Sequence, residues 1–289
     1  MEQASFEQAA LQWTYLPGPA AQTISVAGQD FWDRWFGGGS SGSGFTLNQA
    51  FPQPSGDDTI DALVWFGVPR WTYEIPSGGD TVNYMFLSEP LLGSHYGDPV
   101  ENFAPFNDEQ KSAVREIYDQ ASALTGLSFV ETNDSSQADV FFGNSDIVYG
   151  DTIGITYSYV SYNTDNNGLV TALDRYDFVY MDNNEYAETT QSSAPGTYGY
   201  EYIMHEMGHT LGLDDPYTNG LLSPDLDNTD YTVMSYNLGS EGPQTSYQEL
   251  DVTALAYIYG NGSRPSLAVT EFSLAGGKGL ETFAVFGYA

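Results

Sequence analysis

The sequence contains no cysteine, which excludes disulfides, thiolate metal sites, thiol nucleophiles and any cysteine held on a metal as an inhibitor. Basic residues are scarce: seven Lys and Arg stand against 39 Asp and Glu, a formal net charge of -32. A polyanion of this kind repels nucleic acid and anionic lipid, so neither is expected as a partner. No stretch approaches the ~18 uninterrupted apolar residues of a membrane-spanning helix. The first residues, MEQASFEQAALQW, lack the basic start and apolar run of a secretory signal. A signal already removed, another export route and an intracellular protein are all compatible with that. Histidine is also rare, with three in the chain, His95, His205 and His209.

What is present is ample apolar material, 41% of 289 residues, enough for one large domain or two small ones. Residues 1–57 read as a leader, for which a propeptide, a tag remnant and a small docked arm all fit. QDFWDRWF (29–36) has the pattern of a short amphipathic helix, and GGGSSGSG (37–44) is a flexible linker by composition. From residue 58 the pattern becomes that of a folded domain. RWTYEIP (70–76) alternates like a strand. FNDEQKSAVREIYDQASALTG (106–126) predicts a helix capped by Asn107 or Asp108 and stopped by Gly126. LSFVET, ADVFFGNSD, GITYSYV (154–160) and RYDFVYMD (175–182) predict further strands. Two more helices are predicted, from about Tyr198 to Leu211 and over SYQELDVTALAYIYG (246–260). This order implies a mixed α/β domain, with no tandem repeats.

The chemistry concentrates in HEMGHTLGLDDP, residues 205–216. Four residues apart on a helix, His205 and His209 project from one face about a turn apart, as two nitrogens converging on one tetrahedral zinc require. Glu206 points away from that direction, which suits a base acting on water rather than a ligand. Gly212 allows the chain to leave the helix with positive φ and return residue 215 toward the metal. In the longer pattern H-E-x-x-H-x-x-G-x-x-H, Asp215 stands where a third histidine belongs. A carboxylate is a normal zinc ligand, so two His and one Asp make a working catalytic set. Asp214 is the neighbouring alternative, and register favours Asp215. His95, in LLGSHYGDP, reads as a surface or turn histidine.

The same segment followed by YTVMSYN (231–237) resembles the serralysin-type metzincins, zinc peptidases of family M10. The resemblance spans roughly residues 58–262, through FNDEQKSAVREIYDQASALTGLSFVET, PGTYGYEYIMHE and LDVTALAYIYG in order. It implies an α/β (α+β) catalytic domain: a twisted, mostly parallel sheet, an active-site helix, a methionine turn at Met234 and a C-terminal helix. It further implies that Met234 forms a shelf beneath the metal. Tyr236 is implied as a zinc-site tyrosine that can also donate to the oxyanion. The departure is Asp215, a substitution that also resembles the snapalysins.

The expected protein is therefore a secreted bacterial zinc endopeptidase, a monomer acting on protein or peptide substrates. The expected metal ligands are His205, His209 and Asp215, with Glu206 and Tyr236 as catalytic groups. A peptide substrate is expected to pair against GITYSYV as an edge strand. The rival readings are a metzincin scaffold used for binding, its metal site weakened by Asp215, and a narrow-specificity processing protease. Structural Ca2+ is the second candidate cofactor. NTDNNGLVTALD (163–174) resembles an EF-hand loop through Asn163, Asp165, Asn167, Gly168 and Asp174, although a hairpin loop is the preferred reading. SPDLDNTD (223–230) and DNNEY (182–186) are acid-rich loops. GGKGLETFA (276–284) is one degenerate copy of a calcium-binding nonapeptide, so residues 263–289 read as a tail and remnant of such a repeat region.

Overall fold

The computed structural model describes residues 45–73, 79–90, 101–147 and 152–260, together with the backbone of 282–288. QDFWDRWF, the Gly/Ser linker and His95 lie outside the described residues, as does most of GGKGLETFA.

Seven strands form one mixed sheet: β1 (Thr81–Phe86), β2 (Glu101–Ala104), β3 (Ser128–Glu131), β4 (Val140–Asp146), β5 (Gly154–Thr164), β6 (Val170–Asp182) and β7 (Thr282–Tyr288). The order is β3-β1-β4-β6-β5-β7, with β2 beside β4. The body β3-β1-β4-β6 is parallel, whereas β5 joins β6 as an antiparallel hairpin and β7 pairs antiparallel with β5. Six helices are described: α1 (Leu47–Ala50), α2 (Asp58–Asp61), α3 (Asp108–Thr125), α4 (Ala187–Thr190), α5 (Tyr198–Thr210) and α6 (Glu249–Tyr259).

The ends of α3 follow local chemistry. The Asn107 side chain accepts from Gln110 N–H while the Gln110 side chain accepts from Asn107 N–H. Gly126 closes the helix in the left-handed region at φ 76°. Alternate residues of the central strands, Val82, Tyr84, Val140, Phe142, Val179 and Met181, then form one continuous core with α3, α5 and α6. Each such side chain, fully buried, contributes about 1.5–3 kcal/mol. The opposite residues Phe141, Phe178 and Tyr180 build a second cluster on the other face. That two-sided burial leaves every residue of β6 from Leu173 to Asp182 buried, the charged Asp174, Arg175, Asp177 and Asp182 among them.

Two expectations are corrected here. RWTYEIP is not a strand in its described part: Trp71–Tyr73 form a 3-10 turn, and residues 74–78 lie outside the description. Trp71 Nε1 donates to Thr210 O at 2.7 Å and Arg70 Nε to Ile258 O at 2.6 Å, so anchoring to two helix ends overrides the local alternation. GITYSYV is not an edge strand, because β7 pairs with β5 from Thr156↔Tyr288 to Tyr162↔Thr282. NTDNNGLVTALD folds as the hairpin preferred above: residues 165–169 are the turn, and Asp174 lies inside β6 opposite Ser161 rather than in a calcium loop.

Residues 45–57, placed in the leader by composition, pack on the domain. Ala50 is buried with Trp65, Val68, Val160, Val170 and Leu173, and Thr46 bridges Leu169. A buried ion pair then fixes the C-terminal end of α5. Arg175 binds Asp177 through two contacts, of 3.1 and 2.6 Å, stacks over Trp71 at 4.3 Å and donates to Thr210 O at 3.0 Å. The last carbonyls of α5 are satisfied in this way, and the helix that carries the histidines is locked onto the sheet.

Candidate metal centre

His205 and His209 both lie on α5, buried to 6% and 1% exposure. His205 Nδ1 lies 2.9 Å from Val233 O, and His209 Nδ1 lies 3.0 Å from Leu213 O. A carbonyl oxygen can only accept, so each Nδ1 carries the proton and each Nε2 turns a lone pair inward. After α5 the chain turns at Gly212, with φ 91°, and brings Asp215 beneath the two rings. Asp215 Oδ1 lies 3.4 Å from His205 Nε2 and 3.5 Å from His209 Nε2.

This geometry tests whether a metal fits. Donors held ~2.0–2.1 Å from one tetrahedral zinc are about 3.3–3.4 Å apart, close to the observed separations. Asp215 Oδ1 is completely buried and has no hydrogen-bond partner. Two lone pairs and an unpartnered carboxylate oxygen meeting in a dry pocket repel one another unless a cation sits between them. The donor set therefore fits a zinc ion. Without the ion, protons feel the same field. Burial opposes charge on His205, but the Asp215 and Glu206 carboxylates outweigh it and raise its pKa. Burial, together with the charge on His205, drives His209 down to about 4. It is Asp215, not Asp214, that meets the histidines. Asp214 Oδ1 instead accepts the Asp215 N–H at 2.8 Å.

Glu206 stands beside this cluster, 5% exposed, with Oε2 accepting from Thr156 Oγ1 at 2.7 Å. Burial pushes its carboxyl up to about 7. Gly154 on β5 makes room for it: a Cβ there would lie 2.8 Å from both Cγ and Oε1 of Glu206. Gly154→Ala is expected to displace this carboxylate and lower kcat roughly 10²-fold, the size of effect that a 1 Å misplacement can have. Zinc content should be unchanged, and a variant that turns over like the parent would remove Gly154 from the account.

Met234 sits under α5, fully buried, where a Cβ at Gly208 would lie 2.5 Å from its Sδ. Tyr236, half exposed, donates through its hydroxyl to Asp215 Oδ2 at 3.2 Å, and its ring lies 5.5 Å from that of His205. Burial first, then the nearby Asp215 and Glu206 carboxylates, raise its pKa, so the phenol keeps its proton.

Several residues that shape the centre were not singled out from sequence: Thr156, Tyr217, Asp251 and Glu201. Tyr217 packs against Tyr236 at 5.1 Å. Asp251, on α6, accepts from Thr232 Oγ1 at 2.6 Å, Val233 N at 3.0 Å and Gln248 N at 2.8 Å. It thereby holds Val233, the residue whose carbonyl orients His205. Its one sequence signal is a helix start: an acid three residues after Gln248. Asp251→Ala is expected to weaken zinc about 10–100-fold, as for other residues that orient a ligand. Competition with a chromophoric chelator measures this, and unaltered affinity would show that the turn holds itself.

The other acidic group, Asp146, Asp182 and Glu185, is a weaker arrangement. Asp182 is already occupied by the backbone N–H groups of Ile147, Asn184 and Tyr186.

No protein-family model matches the chain. Curated relatives do. A serralysin of Photorhabdus sp. (strain Az29) is 25% identical over 213 residues, 66% of this chain and 41% of the relative. A serralysin of Proteus mirabilis is 30% identical over 200 residues, 62% of this chain and 40% of the relative. The metalloprotease AprA of Pseudomonas entomophila is 25% identical over 168 residues, 55% of this chain and 32% of the relative. The chain thus spans about two fifths or less of the length of these relatives. This distant homology and the buried His-His-Asp cluster together support a metal-dependent hydrolytic function.

Proposed function

We propose that this chain is a zinc endopeptidase in which His205, His209 and Asp215 hold the ion and Glu206 is the general base. The observation that carries the reading is the orphaned Asp215 Oδ1, 3.4–3.5 Å from two inward-facing imidazole nitrogens and next to a buried carboxylate. Bound zinc would supply Lewis acidity toward a scissile carbonyl and toward water. The remaining steps belong to the protein. Glu206, poised near neutral pH, takes a proton from the attacking water and passes it to the departing amine. Thr156 fixes the orientation of the carboxylate. Tyr236, whose phenol stays protonated, can turn from Asp215 and donate to the oxyanion.

The test is elemental analysis combined with casein hydrolysis in the presence and absence of a chelator. Near-stoichiometric zinc and chelator-sensitive cleavage support the reading. Zinc-loaded protein that cleaves nothing sinks it.

A further inference from the structure

A pocket of about 310 Å³ opens beside Glu206, between α5, residues 152–154 and the segment that follows Met234. Its walls include the apolar side chains of Ile153, Val233 and Leu238 and the ring of Tyr202. Glu201, one helical turn before His205, also lines it and is 2% exposed. One Glu201 oxygen accepts the Gln244 N–H, and no Lys or Arg pairs with this carboxylate among the described residues. A buried carboxylate with only a neighbouring imidazole for opposite charge is matched best by a cation bearing several N–H donors.

Resting on the peptidase reading above, we infer that this pocket selects a lysine or arginine side chain next to the cleaved bond, with Glu201 as the specificity determinant. The dimensions agree. Residues i and i+4 on a helix stand about 5–6 Å apart, so Glu201 lies one turn from the ligand His205. That span suits an extended Lys or Arg side chain entering from the reacting centre. The apolar walls cover its methylene stem. Burial raises the Glu201 pKa, and an entering cation would favour the ionised form again.

The composition of the chain supports the same conclusion independently. A net charge of -32 attracts basic polypeptides over long range. The described residues offer such a pocket little to cut. Among the described residues Arg70 and Arg175 are buried, and Lys111 and Arg115 lie within α3.

The experiment digests casein and reduced lysozyme with zinc-loaded protein and with Glu201→Gln, and maps the cut sites by mass spectrometry. Glu201→Gln preserves shape and an acceptor for Gln244 N–H while removing the charge, and its zinc content verifies an intact fold. The expected result is enrichment of Lys and Arg about tenfold or more at one of the two positions flanking the cut, falling severalfold in the variant. Cleavage without that enrichment, or enrichment that survives in Glu201→Gln, overturns the inference and leaves the peptidase reading standing. No cleavage of either protein overturns both.

Discussion

Glu206→Gln is expected to lower kcat for peptide hydrolysis by about 10²–10⁴-fold, the range for loss of a positioned general base. The substitution keeps the shape of the side chain, and the amide oxygen can still accept from Thr156 Oγ1, which now donates at 2.7 Å. What it removes is an acid-base pair placed by burial near pH 7, where the two protonation states exchange readily. An ordinary exposed Glu would be a weaker base at neutral pH, so 5% exposure is part of the function. Zinc affinity should be nearly unaffected because Glu206 is not among the donors that converge on the site. The measurement pairs steady-state kinetics on a fluorogenic peptide with elemental analysis. A variant that keeps its zinc and turns over within about tenfold of the parent would assign the base elsewhere.

The parts of this site visible in sequence are those set by local geometry. Helical spacing of four places His205 and His209 on one face, and a glycine at 212 predicts the turn that its φ of 91° makes. The cap at Asn107 and the stop at Gly126 depend on a few neighbouring residues and are readable for the same reason. The parts that escaped depend on distant pairing. Whether β5 is an edge is decided by residues 282–288, more than 100 positions away, and its own composition carries no trace of that partner. Arg70 and Trp71 sit in an alternating segment, yet their fate is set by carbonyls at residues 258 and 210. Glu201 looks like a favourable acid in the first turn of a helix. It acquires a role only because residues 152–154 and 233–238 close a pocket over it.

Asp215→Ala is expected to remove zinc from the purified protein, whereas Asp214→Ala should retain it. Spread over its ligands, the roughly 10–16 kcal/mol of a structural zinc site makes one ligand worth about 3–4 kcal/mol, or ~10²–10³ in affinity. Asp214 contributes only a turn hydrogen bond to Asp215 N–H, so its loss should change affinity less than about tenfold. Stability gives a second, opposite signature that loss of fold would not produce. In chelator, at a pH above the raised His205 pKa, the parent buries an unpartnered Oδ1 against two nitrogen lone pairs, so removing the carboxylate should there leave Tm equal or higher. With excess zinc, ligand binding stabilises the parent in proportion to the logarithm of free zinc over Kd, and the variant gains little. The two melting curves should therefore cross in order between chelator and zinc. A variant less stable in both conditions would make Asp215 a structural turn residue. Zinc lost from Asp214→Ala but kept by Asp215→Ala would move the third ligand by one position.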